Sequence, residues 1–131
     1  MDSQAKKELL DAFGKELMAH VRDRVLETGF KTLSGDMKSP PNAQIGVELS
    51  HLSDGSKEMI IHLIATTILD SLSELFYMLE EKNDQFQIIG KFSGQEYDLT
   101  KLSDGLVGEF FGEGGWISKY SKFKLDPDNL Y

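Results

Sequence analysis

Apolar residues recur at helical spacing through the first quarter of the chain. Between residues 4 and 28 they come every three or four positions, which aligns them on one helix face: Leu10, Phe13, Leu17, Val21 and Val25. Gly29 follows the last of them, and glycine commonly ends a helix. The pattern therefore predicts a first helix over 4–28, with Phe30 and Leu33 folding back onto it.

The strongest helical pattern lies in the middle of the chain, over residues 56–81. A continuous apolar stripe runs along it at helical spacing: Ile61, Ile64, Ile68, Leu72, Leu75 and Leu79. Further apolar residues widen the stripe: Ile60, Leu63, Leu69, Phe76 and Met78. A helix that is apolar over most of its circumference usually lies at the centre of a core, so we expect this one to be central.

The segment between these two patterns is ambiguous. Ile45, Val47 and Leu49 alternate as in a strand, whereas Ile45, Leu49 and Leu52 fit one face of a helix. Proline suits the first positions of a helix, which favours a short helix over 41–52.

Residues 86–92 and 95–100 have the pattern of a β-hairpin turning at Ser93-Gly94. A two-residue turn makes four opposed pairs: Phe92 with Gln95, Lys91 with Glu96, Gly90 with Tyr97, and Ile88 with Leu99. In this register the large apolar residues share one face, and Lys91 meets Glu96 on the other.

The rest of the chain predicts two short helices, over 103–113 and 115–123, separated by glycines. We expect loose ends at 1–3 and 124–131. The chain as a whole predicts one α+β, mainly helical domain over 1–131. In it a long central helix is packed by an N-terminal helix, one β-hairpin and short C-terminal helices.

Composition narrows the function. The chain has 131 residues and no cysteine, which excludes disulfides and thiolate chemistry. Its net charge of −8 argues against a nucleic-acid partner, because that class needs a basic face. Residues 1–7 are polar and lack the apolar run of a signal peptide, and His62, Asp70 and Glu74 interrupt the most apolar stretch. We therefore expect a cytoplasmic protein that does not bind membranes.

The acidic residues are concentrated in one part of the chain. Residues 1–33 carry six acids and six bases, whereas residues 70–113 carry ten acids and three lysines. The sequence predicts a non-catalytic interaction module, immunity-like or inhibitor-like, that binds a protein with a basic surface. The candidate interaction residues are Glu80, Glu81, Asp84, Glu109, Glu113 and Trp116. The alternative interpretation of this charge is a solvated surface that keeps the protein soluble.

Five glycines between residues 105 and 115 directly precede Trp116 and suggest a second function. A pocket at this point would make the chain a small ligand-binding domain or an enzyme. The glycines do not form a phosphate-binding motif, so no nucleotide cofactor is expected. A third interpretation is a homodimer formed through the hairpin edge.

Metal-ligating residue types are present without the spacing of a known metal motif. Leu-Ser-Asp-Gly occurs at 52–55 and at 102–105, and both copies suit helix caps. Whether Asp54 and Asp104 lie close enough to share a cation stays open. His62 shares a helix face with Glu58 and Asp70, but not in a recognised ligand pattern. We expect no metal and no cofactor.

Three C-terminal stretches carry one resemblance: 97–99 (Tyr-Asp-Leu), 102–106 (Leu-Ser-Asp-Gly-Leu) and 112–122 (Gly-Glu-Gly-Gly-Trp-Ile-Ser-Lys-Tyr-Ser-Lys). They resemble the C-terminal third of a family of small uncharacterised bacterial single-domain proteins. The resemblance implies a bacterial cytoplasmic protein and a connection with toxin-immunity genes. It assigns no catalytic residue.

Overall fold

The computed structural model describes residues 2–125 and has the predicted α+β, mainly helical architecture. Its elements are α1 (Ser3–Leu17), a π turn (Met18–Arg22), α2 (Asp23–Ser34), α3 (Asn42–Leu49), α4 (Asp54–Glu81), β1 (Ile89–Phe92), β2 (Gln95–Asp98), two 3-10 turns (Leu99–Leu102 and Leu106–Phe110) and α5 (Trp116–Tyr120). Asp2 caps α1 by accepting from the amide of Ala5 at 2.8 Å, which corrects the expected loose start. Most of the expected loose end, residues 126–131, lies outside the described residues.

The first helical run is longer than predicted and continues through Gly29. It ends at Gly35, whose φ of 79° is the left-handed conformation typical of a helix C-terminus. Gly29 instead lies where α2 crosses α4, because a Cβ there would come within 3.0 Å of the side chain of Ile64. Phe30 and Leu33 consequently continue the helix and do not fold back.

The π turn changes which face of this run is buried. Its wider turn rotates the later residues relative to an uninterrupted α-helix. Met18, Arg22 and Leu26 are therefore buried, while Val21 and Val25 are 37% and 44% exposed. The predicted apolar face is correct before residue 18 and wrong after it.

Helix α4 is the centre of the core, as predicted, and α3 resolves the ambiguous segment as a helix. Ser53 caps α4 by accepting from the amide of Ser56 at 3.1 Å, so the first Leu-Ser-Asp-Gly copy is the expected cap. The buried cluster takes residues from α1, the π turn, α2, α4, the second 3-10 turn and α5: Leu10, Met18, Leu26, Ala65, Ile68, Leu69, Leu72, Phe76, Leu79, Leu106, Phe110, Trp116 and Ile117.

The hairpin has the predicted register. Phe92 lies opposite Gln95, Lys91 opposite Glu96 and Gly90 opposite Tyr97, although each strand has only four residues. The amide of Leu99 also donates to the carbonyl of Ile88 at 2.9 Å, as the same register requires. Gly90, on the same face as Phe92, lies against Leu9 of α1, where a Cβ would come within 3.2 Å of the leucine side chain.

The two C-terminal helices predicted over 103–113 and 115–123 are shorter than expected. A five-residue 3-10 turn replaces the first, and the five residues of α5 replace the second. Glycine weakens helices by about 1 kcal/mol per residue relative to alanine, so the glycine-rich stretch prevents a longer helix.

Candidate functional site

The acids of residues 70–113, termed the acidic region, outnumber its lysines and form no ion pair within residues 2–125. All five ion pairs among residues 2–125 lie elsewhere: Lys7–Asp11, Lys119–Asp11, Glu16–His20, Glu58–His62 and Glu27–Lys122. The ten acids of the acidic region, set against three lysines, therefore leave a negative charge along the second half of α4 and in the segments that follow it.

Three carboxylates of the acidic region do make internal hydrogen bonds. Glu80 accepts from the amide of Leu106 at 3.2 Å and so holds the second 3-10 turn against α4. Glu109 accepts from the hydroxyl of Ser103 at 2.9 Å. Burial opposes the ionisation of Asp98, but hydrogen bonds from Asn83 and Thr100 outweigh it and lower its pKa. Of the predicted interaction residues, Glu80 and Glu109 thus have structural roles as well.

The other three predicted acids, Glu81, Asp84 and Glu113, are exposed to solvent. Large aromatic side chains are exposed in the same part of the chain. Tyr77, Phe86 and Phe111 are between 48% and 54% exposed. Exposed aromatics among charged residues are typical of protein interfaces, where they supply most of the contact energy.

Trp116 is buried, whereas an interface anchor has to be exposed. Its side chain is 0% exposed and lies edge-on to Phe13 and Phe110, with ring centroids 5.8 and 5.7 Å away. The indole rests on Gly14, where a Cβ would lie 2.3 Å from the ring. In this structure Trp116 is a core residue, which corrects its expected role as an interface anchor, whereas the pocket near the glycine run stays a prediction.

Asp54 and Asp104 lie at opposite ends of α4. Asp54 is its first residue, and Asp104 is two residues from Leu106, which is bonded to Glu80 near the helix end. At 1.5 Å per residue, the 26 residues between Asp54 and Glu80 span about 39 Å, so the two aspartates do not share a cation. Residues 2–125 contain no group of three or more potential metal ligands.

No family model, no curated protein and no solved structure matches the chain. What the protein binds has to be inferred from its own side chains.

A buried polar cluster, which we term the C-terminal clasp, joins Arg22 and Asp23 to residues 121–125. The hydroxyl of Ser121 donates to Asp23 Oδ1 at 2.6 Å and accepts from Arg22 Nε at 3.3 Å. Arg22 Nη2 donates to the carbonyl of Phe123 at 3.1 Å, and the amide of Lys122 donates to Asp23 Oδ2 at 2.9 Å. Burial lowers the pKa of the guanidinium, and Asp23 opposes that shift.

The sequence offered no signal for this clasp. Helical spacing assigns Arg22 and Asp23 to the solvent side, whereas they are 1% and 3% exposed because the π turn rotates them inward. Only the presence of an arginine, the long side chain best suited to several hydrogen bonds, could have drawn attention to position 22.

The same rotation leaves an apolar groove between α2 and α4. Val21 and Val25 line one wall, Leu63 and Ile68 lie on the other, and the groove encloses about 470 Å³.

Helix α4 is also long and apolar enough to cross a membrane by the criteria of length and composition alone. The central helices of soluble proteins meet the same two criteria.

The hairpin is the whole of its sheet within residues 2–125, and the two strands have no other strand neighbour there. A homodimer through this edge stays a prediction.

Proposed function

We propose that this protein is a non-catalytic interaction module whose acidic region binds a protein with a basic surface. An immunity or inhibitor protein acts in this way when it covers a basic active site, and a cytoplasmic bacterial setting suits that role. The observation that carries the proposal is the set of ten acids in residues 70–113 that lack ion pairs within the described chain.

Unpaired surface charge favours association because its field extends beyond contact distance. Negative charges concentrated on one part of the surface attract a basic partner and raise the association rate by about 10- to 1000-fold at low salt. The internal hydrogen bonds of Glu80, Asp98 and Glu109 hold the backbone that displays the free acids, so little ordering is needed on binding.

Exposed aromatic side chains supply the apolar contact that keeps a complex together once charge has brought the partners into contact. Electrostatic attraction sets the rate and orientation of encounter, whereas buried aromatic contact slows dissociation. Tyr77, Phe86 and Phe111 can stack on arginine side chains, which are attracted to aromatic faces. A basic protein surface rich in arginine therefore suits this region better than a small ligand does.

The test is the association rate of a captured partner as a function of salt. Immobilised protein would capture the partner from a cytoplasmic extract, and stopped-flow would then measure association with the purified partner. The triple variant E81K/D84K/E113K should associate about tenfold more slowly at low salt. The difference should shrink as salt shortens the screening length to about 8 Å.

The matched control reverses three exposed acids outside the acidic region, in the variant E8K/D36K/E48K. Both variants change the net charge by the same amount, so only location distinguishes them. Equal association rates for the two variants, or association rates that do not change with salt concentration, would contradict the proposal. The acidic region would then serve only to keep the protein soluble.

A further inference from the structure

A second surface feature lies at the N-terminal end of α4, away from the acidic region. It is a cavity of about 470 Å³, a size that suits a small organic ligand. Three separate parts of the chain form its walls: the end of α2, the first turns of α4, and Leu125.

The floor of the cavity is apolar. Phe30 and Leu33 come from α2, Ile61 from α4, and Leu125 from the C-terminal segment. Phe30 is held in place by Phe123, whose ring centroid lies 5.1 Å away. This floor would bind an apolar body and exclude water from it.

The C-terminal clasp gives the cavity its third wall. Arg22 donates to the carbonyls of Phe123 and Leu125, at 3.1 and 3.5 Å, and so fixes the backbone next to the Leu125 side chain. A buried charged cluster contributes little net stability, because desolvation offsets the attraction. Its effect here is to position Leu125 at the cavity.

The rim of the cavity is ionic. Asp54 and Glu58 lie one helical turn apart on α4, and His62 lies one turn further on. The Glu58 carboxylate is 3.9 Å from His62 Nε2, and its side chain is 76% exposed. Lys57 also lines the cavity, and its long flexible stem lets its ammonium extend into water. The two carboxylates leave the rim with a net negative charge.

His62, in the wall of the cavity, has one buried polar atom. Its Nδ1 is buried and has no hydrogen-bond partner among residues 2–125. Leaving a buried polar atom unpaired costs about 1–3 kcal/mol, and native folds retain few such atoms.

We propose that this cavity binds a small amphipathic cation, namely a primary ammonium group on an apolar body. The ammonium lies at Asp54 and Glu58, and the apolar body lies on Phe30, Ile61 and Leu125. The two carboxylates against one lysine favour a cationic ligand over an anionic one of the same shape. This site is independent of the proposed protein interaction at the acidic region.

The test compares three probes of matched length: hexylammonium, 1-hexanol and hexanoate. Each is titrated into the ¹⁵N-labelled full chain at pH 7, and amide chemical shifts are followed by NMR. Hexylammonium should give saturable shifts at residues 54–62 and at Leu125. Hexanol should bind at least about tenfold more weakly, and hexanoate more weakly still.

Three variants locate the binding energy. D54N/E58Q should weaken hexylammonium binding to the level of hexanol, whereas E81Q/D84N, with the same change of net charge at the other end of α4, should leave it unchanged. Leu125→Ala should weaken hexylammonium and hexanol by similar factors, because it removes apolar contact only. Leu125→Ala also keeps the proposal testable if D54N/E58Q does not fold.

Three results would overturn the proposal. They are the absence of saturable shifts with hexylammonium, equal affinity for hexylammonium and hexanoate, and equal losses in D54N/E58Q and E81Q/D84N. Equal affinity for all three probes would indicate an apolar cavity without charge selectivity.

Discussion

The C-terminal clasp and the acidic region use charged residues in opposite ways. In the clasp, Arg22 and Asp23 are buried and bonded to residues 121–125. In the acidic region, Glu81, Asp84 and Glu113 are exposed and unpaired within the described chain.

The difference follows from solvation. A charge taken out of water must be matched by hydrogen bonds, so it can be retained only where it holds a particular segment in place. A charge left in water costs nothing to keep and stays available to a partner. The clasp accordingly determines structure, and the acidic region is available for binding.

The largest expected effect comes from breaking the clasp. Asp23→Ala leaves the Arg22 guanidinium buried beside a hydroxyl and backbone carbonyls, without its anion. The free energy of unfolding should fall by about 3–5 kcal/mol, as measured by urea denaturation. The control is Glu27→Ala, which removes the exposed ion pair with Lys122 and should cost far less. Similar losses in both variants would contradict the contrast drawn between buried and exposed charge.

The next largest loss of stability is expected where α5 packs against α1. Gly14→Ala places a Cβ against the indole of Trp116, so the core must shift. Overpacking of this kind costs about 1–3 kcal/mol, measurable by thermal unfolding. Gly108→Ala, in the acidic region, meets no atom within 4 Å and should leave the melting temperature nearly unchanged. A destabilised Gly108→Ala would show that the acidic region is packed as tightly as the core.

A smaller effect distinguishes two neighbouring acids within the acidic region. Glu80→Ala loses the bond to the amide of Leu106 and should cost about 1 kcal/mol of stability. Glu81→Ala removes an exposed carboxylate and should change stability by less than about 0.5 kcal/mol. Urea denaturation of the pair measures the difference. If the costs are equal, Glu80 is as free to bind a partner as Glu81.

The smallest effect is a dependence on pH at Asp98. Its pKa in the folded state lies below the ordinary value of 3.8, because Asn83 and Thr100 bond the ionised carboxyl. Its contribution to stability is therefore complete above pH 3.8 and is lost as pH falls through the lower folded-state pKa. Unfolding free energies measured across this range should fall less steeply for Asp98→Asn than for the native chain. Identical slopes would show that Asp98 has no internal role.

Elements governed by local pattern were predicted well. The hairpin register follows from a two-residue turn and from alternation along each strand, and both are properties of adjacent residues. Helix α4 follows from its continuous apolar stripe and from the Ser53 cap. The exposed acids Glu81, Asp84 and Glu113 follow from charge alone.

Elements that depend on distant contacts were not predicted. Gly29 is the residue type that commonly ends a helix, but it lies inside α2, because α2 approaches Ile64 closely at this position. Trp116 follows a glycine run that suggested an open pocket, yet its partner Gly14 lies about a hundred residues earlier in the chain. The cavity beside Asp54 and Glu58 is lined also by Leu125, which no local pattern connects with α4.

The fold class, the central helix, the hairpin register and the location of the negative charge all follow from the order of residues along the chain. These features depend on residue periodicity and charge, which act over a few neighbouring positions. The rotation of Val21 outward and of Arg22 inward at the π turn is visible only in the folded chain, where Ser121 and the carbonyl of Phe123 accept hydrogen bonds from Arg22. A one-residue change of helical phase leaves no trace in composition, and its consequence depends on hydrogen-bond partners about a hundred residues away.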